Sequence, residues 1–290
     1  MNKSLFKHLV SLFLFGLNGI IASKIALESY QIVLFRTMLG SLLLLLLFLL
    51  RKNRFSFAKN KRDMLFILAS GVAMGASWMF LYEAYSQIGV GIATLLYYIG
   101  PVFVMALSPL FFKEKLTIVK FIGFEIVLLG FILINGQADK DLNYIGVICA
   151  LLSAVTYAVM VITNKKSKKI CGMENSLLQL AAAFVTVGIF VGIKDVGYSM
   201  SVRKEDVFWI LLLGLINTGV GCYLYFSSIG DLGAQTVAIL GYAEPLSAIV
   251  LSVVILGEKM SLFEILGGVL IIGGAAIAQL WKTPKKTKAP

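Results

Sequence analysis

The sequence predicts an all-α polytopic membrane protein of ten transmembrane helices, arranged as two inverted five-helix repeats. Three observations carry that reading. Only 14% of the 290 residues are charged and 59% are hydrophobic, whereas soluble globular chains carry about 25% charged residues. Apolar runs such as 42–50 and 207–220 recur along the chain between short connections. The phrase "YYIGPVFVMALSPLFFKEKL", Tyr97–Leu116, returns 144 residues later as "GYAEPLSAIVLSVVILGEKM", Gly241–Met260.

Taken in order, the expected spans are 6–27, 30–50, 64–85, 91–112, 118–135, 144–164, 176–193, 207–228, 235–256 and 262–281. Most approach the roughly 20 apolar residues that cross a bilayer as a helix. Helices are required because each span has to satisfy its own backbone hydrogen bonds in lipid. The alternating ten-residue pattern of a membrane β-barrel is absent. The first span follows Lys3, Lys7 and His8, a charged start like that of a signal peptide, but the repeat needs this helix, so it is read as retained. In the third span Gly71-x-x-x-Gly75 fits close helix approach. The fourth and ninth spans carry Pro101 and Pro245 near their centres, and Pro109 lies further along the fourth.

A net charge of +11 raises the question of a nucleic-acid partner, and its distribution answers it. With the N-terminus on the cytoplasmic side, that side carries eighteen Lys/Arg and the opposite side six, while Arg36 and Lys120 lie within spans. This is the positive-inside bias, so both termini are expected in the cytoplasm of a bacterial cell and the basic loops are expected to touch anionic headgroups. No nucleic-acid partner is expected. Cys149, Cys171 and Cys222 form no spaced pair and are read as free thiols.

The two quoted stretches align without a gap. Tyr98 matches Tyr242, Pro101 matches Pro245, Leu107–Ser108 matches Leu251–Ser252, and Glu114–Lys115 matches Glu258–Lys259. The same offset takes Gly89 to Gly233, Gly123 to Gly267 and Gly130 to Gly274. The expected units are therefore 1–140, 141–281 and a basic tail, 282–290. An odd number of spans in each half makes their orientations opposite. Secondary transporters are often built this way, with the substrate site near the midplane between the halves.

Five plus five spans, with proline and a closing Glu-Lys in the fourth helix of each half, resemble the EamA type of the drug/metabolite transporter superfamily. The stretch "AEPLSAIVLSVVILGEKMSLFEILGGVLIIGG" carries the resemblance most fully. It covers nearly the whole chain and implies transport of a small metabolite without naming which: amino acids, amines and nucleobases are among those carried in the family. It also implies that the fifth and tenth helices lie at the periphery, towards lipid or a homodimer partner, which sets Glu125 apart from a central cavity. The first half departs from the second in one place, with Gly100 where the second half has Glu244.

Charged residues within spans are costly, roughly 2.5–3.5 kcal/mol at a helix centre on insertion scales, so each invites a partner or a task. Arg36 and Glu83 fall in the outer half of their spans and read as a structural pair, with Glu83 also a candidate ligand group. Glu244, beside the proline near the bilayer centre, is the first choice for recognising charge or coupling protons; the alternative is a carboxyl bonded to backbone groups freed by the kink. Trp78, Tyr82, Tyr98, Tyr225, Tyr242 and Asn18 are candidates for a cavity wall. Aromatic faces attract organic cations, though the same residues also serve packing or an interfacial belt. Pro101 and Pro245 each free the carbonyl four residues earlier, either as packing kinks or as flexing points. Ser153 and Thr156 fit interhelical hydrogen bonds as well as a wet cavity.

His8 has no metal-binding companion, and no zinc, phosphate-loop or nucleophile-elbow motif is present. No cofactor, metal or catalytic activity is expected. The reading is a secondary transporter of a small, polar, nitrogen-containing metabolite (organic cation, amine or amino acid), with protons a candidate coupling ion. The alternatives are a carrier of anionic or nucleotide-linked substrates and a membrane enzyme of lipid metabolism.

Overall fold

A computed structural model describes residues 3–135, 143–194, 202–251, 254–255 and 262–280. The expected boundary between the two halves, Glu258–Lys259 and the basic tail lie outside these residues. Among the described residues every regular element is helical. The helices are α1 (Lys3–Gly16), α2 (Asn18–Ala22), α3 (Ser29–Leu50), α4 (Lys61–Ile88), α5 (Val90–Tyr97), α6 (Gly100–Phe112) and α7 (Ile118–Asn135). They continue as α8 (Tyr144–Lys166), α9 (Gly172–Lys194), α10 (Lys204–Leu211), a π segment (Leu212–Val220), α11 (Gly221–Ile229), α12 (Ala234–Gly241), α13 (Ala243–Leu251) and α14 (Leu262–Leu280). Six stretches among them are long and apolar enough to cross a membrane: Lys3–Ala22, Ser29–Leu50, Lys61–Ile88, Tyr144–Lys166, Gly172–Ile193 and Lys204–Ile229.

The breaks have identifiable causes. Proline gives no N–H to the carbonyl four residues before it, and the helix stops at that carbonyl: α5 ends at Tyr97, four before Pro101, and α12 ends at Gly241, four before Pro245. The two breaks face each other, since a Cβ added at Gly241 would fall 3.8 Å from Pro101 Cγ. The other two interruptions carry no proline. The first span breaks at Leu17, opposite the π segment, and there Asn217 Nδ2 donates to the Leu14 carbonyl at 2.7 Å and to Asn18 Oδ1 at 3.2 Å. The Leu14 carbonyl also accepts from Leu17 N at 3.0 Å, so the side-chain amide adds a second donor at the break, the kind of support by which irregular segments persist at membrane depth.

Packing runs mostly between the first and second stretches of the chain. α4 lies against α8 and α9, α3 against α9 and the π segment, α1 against α11 and α13, and α7 against α14. Glycine sets the closest of these approaches. A Cβ at Gly75 would come within 2.9 Å of the Ala183 carbonyl oxygen, and Gly71 meets Gln179 and Ala182 of the same helix, α9. On α7 and α14, a Cβ at Gly123 would stand 2.7 Å from the Gly274 carbonyl oxygen and one at Gly130 2.6 Å from that of Gly267. Ser77 and Ser153 exchange hydrogen bonds across α4 and α8, with Ser77 Oγ donating to the Ser153 carbonyl at 3.0 Å and Ser153 Oγ to the Ser77 carbonyl at 2.7 Å. Ser153 is therefore an interhelical bond. Large apolar side chains such as Leu46, Leu110, Ile148 and Ile189 point outward, as a lipid-facing surface requires.

Candidate functional site

The two proline breaks bring the most unusual polar group in the fold to the middle of the bundle. Glu244 is the second residue of α13, just past the break, and it is half-buried. Its carboxyl lies within electrostatic reach of Tyr85, Tyr97, Tyr157 and Arg36. Tyr97 and Tyr157 pack edge-on at 5.6 Å between ring centroids. The Tyr157 hydroxyl stands near Gly241, where an added Cβ would be 3.5 Å from it. Tyr157 also explains why the first half has glycine in the corresponding place: a Cβ at Gly100 would fall 2.8 Å from Tyr157 Cδ1 and 3.0 Å from the Ala154 carbonyl oxygen. There is no room for a second carboxylate at this depth.

Arg36 supplies the opposite charge. It is only 5% exposed, and its Nε donates to Thr218 Oγ1 of the π segment at 3.0 Å. Its guanidinium lies over the Trp78 ring, 4.6 Å from the centroid, a contact worth about 2 kcal/mol when desolvated. The π segment itself orients Thr218, whose hydroxyl donates to the Leu213 carbonyl five residues back at 2.9 Å. The partners of Arg36 are thus a hydroxyl and an indole face, in place of the pairing with Glu83 that depth along the helices suggests.

Glu83 sits nearer one end of the molecule. A cavity of about 330 Å³ opens there, lined by Glu28, Tyr30, Tyr82, Glu83, Tyr85 and Val90 among others. Gln87 Nε2 donates to Glu83 Oε1 at 3.3 Å. Tyr82 and Tyr85 meet edge-on at 5.4 Å, and the Tyr85 hydroxyl accepts from Thr94 Oγ1 at 3.4 Å. Among the described residues no group of three or more His, Cys, Asp or Glu is placed to hold a metal.

The model of the EamA-like transporter family matches the chain twice, over residues 3–136 and 144–279. The chain belongs to the EamA-like transporter family. Two relatives from Bacillus subtilis (strain 168) bear the names uncharacterized transporter YxxF and uncharacterized transporter YdfC. The first is 28% identical over 95% of this chain and 89% of its own length, the second 27% identical over 89% and 85%. A solved crystal structure superposes with a TM-score of 0.81 over 96% of this chain and 97% of its own, at 17% identity, which speaks for the fold alone.

Within this transporter the residues singled out from the sequence separate into three groups. Trp78 stands beside Arg36 and, with Glu244, in the middle of the bundle. Tyr82 and Glu83 line the end cavity. Tyr98, Tyr242 and Tyr225 are packed: Tyr98 is 6% and Tyr242 0% exposed, their rings lie 4.9 Å and 5.5 Å from Phe131 of α7, and Tyr225 stacks on His8 at 4.8 Å. Asn18 serves the break opposite the π segment. Sequence reasoning missed Thr218, because nothing in the apolar run 212–220 announces a π segment. It also missed the part played by Tyr157, which the Gly100/Glu244 asymmetry would have revealed had the facing helix been known.

Proposed function

We propose that this transporter has ten spans in two inverted halves, 1–140 and 141–281, and carries a small nitrogen-containing metabolite by alternating access across a bacterial cytoplasmic membrane. The double match to one family model supports the division into halves. So do the reciprocal glycine contacts: with an offset of 144, Gly123 corresponds to Gly267 and Gly130 to Gly274, and each glycine meets the equivalent of the other. Two residues that exchange partners in this way are the mark of a two-fold relation. The lysine-rich connections support both termini being inside.

The observation that carries the substrate reading is the half-buried carboxyl of Glu244, set among tyrosines with Arg36 acting on it. A carboxylate beside aromatic faces suits an ammonium group. The nearby guanidinium suits a carboxylate, so the pair favours an amino acid over a simple amine within the proposed class. Tyr98 and Tyr242 are assigned to packing, and Trp78, Tyr82 and Glu83 to the path. Glu244 is also the group that would take up a proton if transport is coupled to one.

Thermal unfolding of the purified protein in detergent tests this reading. Titration with zwitterionic amino acids, primary amines and quaternary ammonium compounds is expected to raise the Tm for at least one amine-bearing class. A ligand at 100 times its Kd stabilises by about 2.7 kcal/mol, and Glu244→Gln abolishes that gain. A gain of equal size in Glu244→Gln would overturn the assignment.

A further inference from the structure

We propose that Glu114 is a latch that holds the lysine-rich end of the transporter closed in the state seen here. The inference goes beyond the substrate reading but rests on alternating access. Glu114 follows α6, and its carboxylate reaches across to the start of α12. Ala234 N donates to Glu114 Oε1 at 2.7 Å and Gln235 N to Glu114 Oε2 at 3.1 Å. A carboxylate there satisfies two of the donors that a helix start leaves open and meets the positive end of its dipole. The carboxylate also lies close to Gly233, where a Cβ would stand in ordinary contact with both of its oxygens, at 3.4 and 3.5 Å.

The same joint is braced on every side. Gln235 is fully buried, its Nε2 donates to Ser108 Oγ at 2.9 Å, and its Oε1 accepts from Lys120 Nζ at 3.0 Å. Lys165 Nζ donates to the Leu232 carbonyl, Ser4 Oγ to Asp231 Oδ2 at 2.6 Å, and His8 Nδ1 meets Ser228 Oγ at 3.1 Å. The contacts to Asp231, Ser228, Ala234 and Gln235 all join the first half of the chain to the second, at one end of the bundle.

The other end is in the opposite condition. The offset of 144 takes Gly233 to Gly89 and Ala234 to Val90. Val90 lines the open cavity and is 62% exposed. Gly89 has a positive φ of 77° where Gly233 has −62°, and none of the described residues stands within 4 Å of its Cβ position. One copy of the segment is latched and the other lines a cavity, and on this proposal the latch follows the state of the end it occupies.

The experiment is labelling with a membrane-impermeant maleimide in proteoliposomes of known sidedness, without substrate, on a cysteine-free background that folds. One reporter is Val237→Cys, fully buried one turn beyond the latch, and the other is Val90→Cys in the open cavity. Glu114→Gln is expected to raise labelling of the Val237 reporter from the lysine-rich side at least about tenfold, the size of losing one charge-assisted hydrogen bond, while labelling of the Val90 reporter falls. Ser108→Ala, a milder loosening of the same joint, is expected to move both reporters in the same direction and serves if Glu114→Gln does not fold. Glu258→Gln, the same chemical change at the position paired with Glu114 by the offset and outside the described residues, is expected to leave the Val237 reporter protected. Unchanged protection in folded Glu114→Gln, or in Ser108→Ala where the former does not fold, would overturn the proposal. So would equal exposure in Glu258→Gln. Because no substrate is used, these outcomes are independent of Glu244 and of what is carried.

Discussion

The Tyr242 hydroxyl donates a 2.8 Å hydrogen bond to the backbone carbonyl of Tyr98, the residue 144 positions earlier that the repeated phrase aligns with it. The two rings lie 5.7 Å apart, buried against Phe131 of α7. Equivalent positions in the two copies of the phrase thus touch at the centre of the bundle. The bond runs one way only: Tyr242 gives its side chain and Tyr98 its backbone.

That asymmetry separates two conservative substitutions. Tyr242→Phe leaves the buried Tyr98 carbonyl without its donor and is expected to cost about 1–3 kcal/mol. Tyr98→Phe keeps the bond and is expected to cost less. Unfolding by SDS titration, followed by circular dichroism, compares the two.

The contact of α7 with α14 depends on the absence of side chains at two heights. Gly123→Ala sets a methyl group 2.7 Å from the Gly274 carbonyl oxygen and is expected to destabilise by roughly 1–3 kcal/mol, the usual cost of overpacking. The same substitution at Gly273, whose Cβ position has nothing within 4 Å, is expected to be nearly neutral. Thermal melts of the two variants check the contrast.

Arg36→Lys preserves charge but loses the Nε–H that reaches Thr218 and the planar group lying on Trp78. With Arg36 assigned to a substrate carboxylate, this variant is expected to weaken binding of amino acids at least about tenfold, an ordinary consequence of losing one charge-assisted bond. Binding of amines that lack a carboxylate is expected to change little. Ligand-induced shifts in Tm across the same panel provide the measurement.

Asn217→Ala removes the amide that bonds the Leu14 carbonyl and Asn18 at the break in the first span. The expected loss is about 0.5–1.5 kcal/mol, because the Leu14 carbonyl keeps its bond from Leu17 N and loses only the second donor. Asn18→Ala, which removes only the longer of the two bonds, is expected to cost less in the same unfolding assay.

What was legible in the sequence follows what periodicity and composition can encode. The stretches 30–50 and 144–164 return as α3 and α8 within two residues at each end, because hydropathy sets where a helix can lie in lipid. The breaks before Pro101 and Pro245 were legible because proline removes a defined hydrogen bond. The break at Leu17 and the π segment were not, since no residue type marks them and the contact between them, through Asn217, needed the fold. That Arg36 needs a partner within the fold was legible, but the direction of its side chain was not. Counting along α3 gives height only, whereas its turn towards Thr218 and Trp78 depends on how the helices pack. Glu114 stood out as half of a repeated Glu-Lys, yet its contact at Ala234 joins residues 120 positions apart and needed the fold.

The most direct measurement of the central claim is charge movement in proteoliposomes on a solid-supported membrane, with wild type beside Glu244→Gln. Amine-bearing substrates, amino acids foremost, are expected to give currents in wild type that vanish in the variant. Glu244→Gln currents matching those of wild type for every substrate would contradict the account and leave Glu244 a residue of the helix break alone.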